Sequence, residues 1–129
     1  MLFQLARYDE AFEDLNRALQ LRPDDPNALV SRGTTQFNRG CKIEALDDYN
    51  RSLELDKNNA IALNSRGRTL FELQRYEEAL RDFDLVLQLD PSNLTATHRR
   101  ARVLETFGRE MEAMAGTFVA CILANRVTD

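Results

Sequence analysis

A period of about 34 residues runs through the chain and constrains its fold more than any other feature. Gly33 and Gly67 are one period apart, and Ala101 follows one period later. A second column with the same period consists of Ala11, Ala45, Ala79 and Ala113. A fixed period of this length across nearly the whole chain predicts an array of similar units that stack on one another.

The third unit, residues 59–93, shows the pattern most completely. Its apolar residues recur at helical spacing in two runs, which are separated by Gln74 and Arg75 and closed by Asp90 and Pro91. The residues on these two stripes are Leu63, Gly67, Leu70, Tyr76, Ala79, Leu80, Phe83 and Leu87. We therefore expect each unit to be a hairpin of two amphipathic helices.

These columns resemble the tetratricopeptide repeat, whose order of large apolar residue, glycine, aromatic, Ala-x-x-x-Phe and proline they follow at the same length. The residues that carry the resemblance are Leu63, Gly67, Leu70, Tyr76, Ala79, Phe83 and Pro91. The chain departs from the family pattern in having no tryptophan, and in having Arg32, Arg66 and Arg100 where the family usually has leucine. The resemblance implies an all-α, right-handed superhelix of stacked antiparallel helix pairs that binds other proteins and is not catalytic.

The 129 residues are expected to form one domain of three full units and a partial first unit, because such units share one continuous core. In the partial unit, one helix should end near Leu5 and a second should begin at Arg7 and Tyr8. The degenerate last unit should cap the array with one helix up to Phe107 and a second over about 110–126. The expected units are residues 1–25, 26–59, 60–93 and 94–127.

Composition narrows the functional class. A net charge of −4 without a basic block argues against binding nucleic acid, for which clustered Lys and Arg supply most of the affinity. Cys41 and Cys121 lack metal-ligand spacing, which is typical of reduced intracellular thiols. With one histidine, His98, and no glycine-rich phosphate loop, we expect no catalysis, cofactor or metal.

No apolar run approaches the length of a membrane span, and the first residues lack the pattern of a signal peptide. We therefore expect a cytoplasmic protein that does not act at a membrane.

Charged residues also follow the period. Asp14, Asp48 and Asp82 form a column, and an arginine, Arg32, Arg66 or Arg100, follows each aspartate by slightly more than half a period. Gly116 occupies the aspartate position in the unit of Arg100 itself. We therefore predict that the aspartate of one unit pairs with the arginine of the next and fixes the stacking register. The alternative is that both columns are solvated.

The family resemblance implies that the first helices of the hairpins line a concave groove that binds the partner. Phe37 and Phe71 are one period apart, as are Arg68 and Arg102. If the rings face the groove rather than the core, they favour an acidic peptide or partner helix with apolar anchors. The groove positions on this sequence are Asn27, Val30, Thr34, Phe37, Asn38, Ile61, Asn64, Arg68, Phe71, Glu72, His98, Arg102 and Glu105.

One subgroup of the family grips the C-terminal carboxylate of chaperones with Lys and Asn, then Asn, then Lys and Arg from three successive units. In the last three units those positions hold Val30, Thr34, Ser65, His98 and Arg102. Of these residues only Arg102 is of the required type. If the comparison is moved one unit toward the N-terminus, only Arg68 is of the required type. The resemblance at this level therefore disfavours a clamp for chaperone tails.

The last predicted helix is apolar nearly all round, which is unusual for a helix that ends an array in water. Phe118 occupies the column of Asn16, Asn50 and Asp84. We expect a two-fold dimer with this face packed against itself, and the alternative is a monomer that tolerates the patch. A second apolar end is expected at Leu2, Phe3 and Leu5. The candidate self-association residues are Met114, Phe118, Val119 and Ile122.

Overall fold

Six helices make up most of the described chain, which has no strand. The computed structural model describes the backbone of residues 2–128 and the side chains of residues 4–124. The elements are α1 (Leu2–Leu21), α2 (Pro26–Asn38), α3 (Lys42–Leu55), α4 (Ala60–Glu72), α5 (Tyr76–Leu89) and α6 (Leu94–Thr128). Helices α2 with α3 and α4 with α5 form two antiparallel hairpins, which confirms the all-α repeat fold expected from the period.

The first helix of each unit begins at a side-chain cap. The carboxylate of Asp25 accepts hydrogen bonds from the backbone N–H groups of Asn27 and Ala28, and Pro26 occupies the first turn of α2. Asn59 caps α4 in the same way, and Asn93 Oδ1 accepts from the N–H of Ala96 at 2.9 Å. These caps satisfy N–H groups that have no partner within the helix, so they fix where α2, α4 and α6 start.

The two hairpin turns share one left-handed backbone conformation. Gly40 has a φ of 86°, and Gln74, one period later, has a φ of 64°. The following N–H groups close the turns, since Cys41 donates to the carbonyl of Gln36 and Arg75 donates to that of Leu70, each at 2.8 Å. Glycine adopts this conformation without strain, whereas glutamine does so at a cost. The second turn therefore depends on the packing of its hairpin.

In each hairpin, an aromatic ring of the second helix packs directly against a glycine of the first helix. A Cβ atom at Gly33 would lie 2.7 Å from Tyr49 Cε1, and one at Gly67 would lie 2.7 Å from Phe83 Cζ. Tyr49 and Phe83 are both fully buried. Any side chain at either glycine would displace the ring, so the missing Cβ is what lets the two helices approach.

The predicted fourth helix pair does not form, because α6 continues unbroken from Leu94 to Thr128. Gly108, which occupies the turn position of Gly40 and Gln74, is helical. Ala101 replaces the glycine of the closing contact and Thr117 replaces its ring. Folding the chain back at Gly108 would therefore not recover the contact that closes the other hairpins, and the helix continues.

The predicted break in the first unit is also wrong, since α1 is one helix from Leu2 to Leu21. Ala6 occupies the position of the two turn residues, and alanine is the residue that most favours a helix. Leu5 is exposed, while the side chains of Leu2 and Phe3 lie outside the described residues.

Most of the buried apolar residues form one cluster that extends from α2 to α6, as expected for an array. Phe83 and Ala79 are fully buried members of the cluster, and Leu80 packs against it. The period predicts that Leu104, which lies one period after the buried Leu70, also packs in this core, and that prediction is wrong because Leu104 is 43% exposed. The other members of the cluster are Val30, Ala45, Leu46, Tyr49, Leu53, Ala62, Leu63, Leu70, Tyr76, Val86, Ala96 and Val103.

The arginine and aspartate columns pair within one unit, so the predicted pairing with the next unit is wrong. Arg66 donates from Nε and Nη2 to the two oxygens of Asp82 at 2.8 and 2.7 Å. Arg32 binds Asp48 in the same bidentate way, at 2.9 and 2.7 Å. In each pair the hydrogen bond to aspartate raises the pKa of the arginine above its ordinary value.

The same arginines also contact the preceding unit. Nη1 of Arg66 donates to Asn50 Oδ1 at 3.1 Å, and Arg32 makes the equivalent bond to Asn16. Arg100 has no aspartate in its own unit and binds Asp84 at 2.6 Å. Arg32 and Arg66 therefore each join both helices of their own hairpin to the preceding helix, with partners that differ from the predicted ones. That these bonds fix the stacking register stays a prediction.

The burial of Phe83 generates a stability prediction. Phe83→Ala is expected to lower the free energy of unfolding by about 3–5 kcal/mol, because it removes a fully buried ring and leaves a cavity against Gly67. Chemical denaturation measures the change. The control is Ile61→Ala, whose side chain is 69% exposed and whose loss should cost under about 1 kcal/mol. Similar losses in the two variants would contradict the register of α5.

The bidentate pair predicts thermodynamic coupling. In a double-mutant cycle, Arg66→Ala and Asp82→Ala should couple by about 1–3 kcal/mol, because Asp82 is buried and each single substitution leaves the other member of the pair without its partner. The exposed pair Arg75 and Glu78 is the control and should couple by under about 0.5 kcal/mol. Equal coupling in the two cycles would show that the arginine column is solvated.

Candidate functional site

The first helices of the units lie side by side, and α4 contacts both α2 and α6. We term the surface formed by α2, α4 and the first half of α6 the first-helix groove. It corresponds to the groove that the sequence predicts, with α6 supplying its last wall. Two clefts open on this surface and differ in charge.

The first cleft is cationic and has a volume of about 360 Å³. Arg68 comes from α4, and Arg99 and Arg102 come from α6. The ion pairs of the described side chains involve none of these three arginines. The complete lining is Arg68, Phe71, Glu72, Phe83, Arg99, Arg102 and Val103.

The second cleft is mostly neutral and has a volume of about 220 Å³. Arg68 and Arg99 line both clefts and so separate them. The hydroxyls of Thr34 and Tyr49 are hydrogen-bonded at 2.9 Å. Asn64 Oδ1 is buried and accepts no hydrogen bond from the described residues. The lining is Thr34, Phe37, Tyr49, Ile61, Asn64, Ser65, Arg68, Thr95 and Arg99.

The three arginines repel one another, and the effect is clearest at Arg99. Burial lowers the pKa of Arg99 below its ordinary value, and the positive charges of Arg68 and Arg102 lower it further, while Glu72 raises it. An arginine nevertheless stays protonated at physiological pH. Glu72 also pairs with Lys42 at 3.2 Å. The cleft therefore keeps a surplus of positive charge, which favours an anionic ligand.

Two aromatic rings support these arginines. The guanidinium carbon of Arg68 lies 4.2 Å from the ring centroid of Phe37, and that of Arg102 lies 5.7 Å from the centroid of Phe71. Both rings are partly buried and pack against the core. Each ring therefore packs partly in the core and partly faces the groove, where it contacts one arginine through a cation–π interaction.

Most of the predicted groove residues line the two clefts. The structure places Thr34, Phe37, Ile61 and Asn64 on the neutral cleft, Phe71, Glu72 and Arg102 on the cationic cleft, and Arg68 on both.

Five of the predicted positions lie elsewhere. The prediction for Val30 is wrong, because its side chain is 8% exposed and belongs to the core. Asn27 is exposed beside the turn at Asp24 and Asp25. Asn38, His98 and Glu105 are exposed but line neither cleft, and Glu105 pairs with Arg109 at 2.6 Å.

Six residues of the clefts were not predicted as groove residues from the sequence, and two of them, Phe83 and Val103, are core side chains that also line the cationic cleft. Arg99 lies between His98 and Arg100, and the sequence alone does not show which of these side chains turns toward α4. Tyr49 comes from a second helix, lines the neutral cleft and is hydrogen-bonded through its hydroxyl to Thr34 of α2. The remaining two are Ser65 and Thr95. The two consecutive arginines at 99 and 100 were the only sequence feature that could have indicated a further basic residue in the groove.

This geometry defines the class of protein: a helical-repeat protein whose stacked hairpins present two clefts on their first helices. Two family profiles match the chain. The profile described as "Tetratricopeptide repeat" matches residues 60–93, and one described as "TPR repeat" matches residues 1–40. The chain belongs to the tetratricopeptide repeat family.

Solved structures of this family are similar over most of the chain. The first TPR of Spaghetti (RPAP3), bound to the HSP90 peptide SRMEEVD, is 28% identical with a TM-score of 0.77, covering 82% of this chain and 84% of that one. The first TPR domain of human RPAP3 is 27% identical with a TM-score of 0.79, covering 85% and 87%. The second TPR domain of human RPAP3, in complex with the HSP70 peptide SGPTIEEVD, is 25% identical with a TM-score of 0.71, covering 78% and 84%.

No curated protein matches the chain in sequence. Among the described residues, no helix combines the length and apolarity that crossing a membrane requires. The described side chains contain no group of three or more His, Cys, Asp or Glu residues that could hold a metal ion.

Proposed function

We propose that the first-helix groove binds a peptide segment of a partner protein and places an acidic group in the cationic cleft. The observation that carries this proposal is the convergence of Arg68, Arg99 and Arg102 without a paired carboxylate among the described residues. A guanidinium can donate two parallel hydrogen bonds to a carboxylate, which makes this ligand class the best match.

The neutral cleft favours a peptide over a free anion. Asn64 Oδ1 can accept a hydrogen bond from a peptide N–H, which would satisfy a buried acceptor. Ile61, which is largely exposed, and Phe37 offer apolar contacts at the same cleft. The two clefts share a wall, so an acidic residue and an apolar anchor should be close neighbours in the ligand.

The similar structures support the peptide class, since two of them are described with bound peptides that end in Glu-Val-Asp. The proposal does not extend to such chaperone tails. Of the clamp positions that the resemblance assigns, only Arg102 carries the matching residue type, and it lies on the cationic cleft.

The first test is charge reversal in the groove. Fluorescent heptapeptides that combine Asp or Glu with Leu or Phe should bind, and matched peptides with Lys in place of the acids should not. Arg68→Glu and Arg99→Glu should each weaken binding at least about 10-fold, or about 1.4 kcal/mol, because each removes a cation and adds a repulsive charge. Fluorescence polarisation measures the affinity.

The matched control for this test is Arg17→Glu, which reverses an exposed arginine of α1 that lines neither cleft. It should leave the affinity unchanged. Equal binding of the acidic and the lysine peptides, or full affinity in both groove variants, would contradict the proposed site.

Salt provides a second test. Binding of the acidic peptides should weaken severalfold between low and physiological ionic strength, because mobile ions screen charges on an open cleft. A peptide with amides in place of the acids is the control and should respond little. Indifference of the acidic peptides to salt would remove the arginines from the site. The peptide SRMEEVD is a comparator, for which we expect no titratable binding below millimolar concentration.

We propose self-association through α6 as a second candidate function. Beyond Arg109, every described side chain of α6 is exposed, including Met114, Val119, Ile122 and Phe118, the last at 66%. Exposed apolar residues in this number mark an interaction surface. The wild-type chain should sediment as a dimer at tens of micromolar, and Phe118→Asp combined with Ile122→Asp should make it monomeric. A monomeric wild type would exclude this candidate and leave the groove proposal untouched.

A further inference from the structure

One face of α6 lacks the helix that covers the equivalent face of α4. On α4, Leu63 and Leu70 are buried and Gly67 lies under the ring of Phe83 of α5. One period later, α6 has Thr97, Ala101 and Leu104 at these positions. All three are exposed, because α6 continues straight where α4 ends and α5 turns back. The described chain therefore leaves this face uncovered.

The uncovered face continues along the second half of α6. Small and apolar residues recur there at alternating steps of four and three, which is the spacing of a seam between two paired helices. Seven of these eight residues are exposed, and Gly108 is half-buried. We term these residues the α6 stripe: Thr97, Ala101, Leu104, Gly108, Met111, Ala115, Phe118 and Ile122.

The α6 stripe is distinct from the face that packs against the core. Ala96 and Val103 are buried in the core cluster, and Phe107 packs against it. Successive residues of a helix are about 100° apart, so Leu104 and Ala101 point away from the direction of Val103. A second helix can therefore cover the stripe without displacing the hairpin of α4 and α5.

If two copies of α6 are placed antiparallel, the small residues of one stripe lie opposite the large residues of the other. With Gly108 opposite Met111 of a second copy, Leu104 faces Ala115 and Ala101 faces Phe118. Thr97 then faces Ile122. Each layer joins a smaller residue to a larger one, which keeps the helix separation uniform along the seam. A parallel pair would instead place Phe118 on Phe118 and Gly108 on Gly108, with one layer overfilled and another empty.

We propose that α6 pairs with α6 of a second copy of this chain as an antiparallel coiled coil whose two-fold axis passes between Gly108 and Met111. Two-fold symmetry repeats each of the four layers, and the seam is about 38 Å long at about 1.5 Å per residue. The proposal rests on the self-association candidate and specifies its register: Phe118 packs on Ala101 of the second copy and not on Phe118.

Cross-linking tests the register. In a background of Cys41→Ser and Cys121→Ser, Leu104→Cys and Ala115→Cys are made as separate proteins and oxidised alone or mixed. The mixture should form disulfide-linked dimers at least fivefold more efficiently than either protein alone, because residue 104 faces residue 115 only across two copies. Equal self-linking of the separate proteins would indicate a parallel pair. Either that result or the absence of linking in the mixture would overturn the proposal.

Sedimentation tests the face. Ala101→Glu should convert the dimer to a monomer, because it places a charge in the seam opposite Phe118. The matched control is Ala113→Glu, an equal change on the opposite side of α6, which should leave the dimer intact. Both positions are exposed within one chain, so helix content by circular dichroism should be unchanged.

The outcomes separate this proposal from those on which it rests. A wild type that stays monomeric even at hundreds of micromolar would overturn both self-association and this register. A dimer that survives Ala101→Glu, or that is lost in Ala113→Glu, would overturn the register alone. Peptide affinity of the groove, measured on the same variants, reports on the first proposed function independently.

Discussion

The contact between an aromatic ring and a glycine determines the shape of this array. Tyr49 on Gly33 and Phe83 on Gly67 bring the two helices of each hairpin together, because neither glycine has a Cβ to hold the ring away. Where the chain has Ala101 and Thr117 instead, no hairpin closes and α6 extends. This pair of positions therefore distinguishes the two units that fold back from the last unit, which leaves a face uncovered.

The arginine column links the hairpins that these contacts close. The guanidinium of Arg66 binds Asp82 of its own hairpin and Asn50 of the one before, so three helices meet at one side chain. Bidentate geometry restricts the orientation of all three. The first helices are thereby held at a fixed spacing, and Arg68 and Arg102 are held over Phe37 and Phe71. The groove is in this sense a consequence of the stacking register.

Helix α6 contributes to both proposed functions with different residues. Arg99 and Arg102 belong to the cationic cleft, whereas Ala101 and Leu104 belong to the α6 stripe. Although these residues are close in sequence, they lie on separate sides of α6, because consecutive side chains on a helix point in directions about 100° apart. A pair of copies joined along the stripe would carry two grooves, and a partner with two acidic segments would then bind with a higher effective affinity than either groove alone provides.

The sequence alone predicts the all-α repeat, the hairpins of the second and third units, the apolar stripe that contains Phe83 and most of the cleft residues, because these follow from a local period. It could not determine which helix meets a given face. Arg32 and Arg66 each lie slightly more than half a period after one aspartate and slightly less than half a period before another, so spacing alone does not choose between the two partners. Only the tertiary structure shows that Arg66 binds Asp82, that Val30 is core, that Arg99 faces the groove and that α6 does not turn. Periodicity specifies which residues share a helix face, whereas the distance at which two helices can pack decides what covers that face.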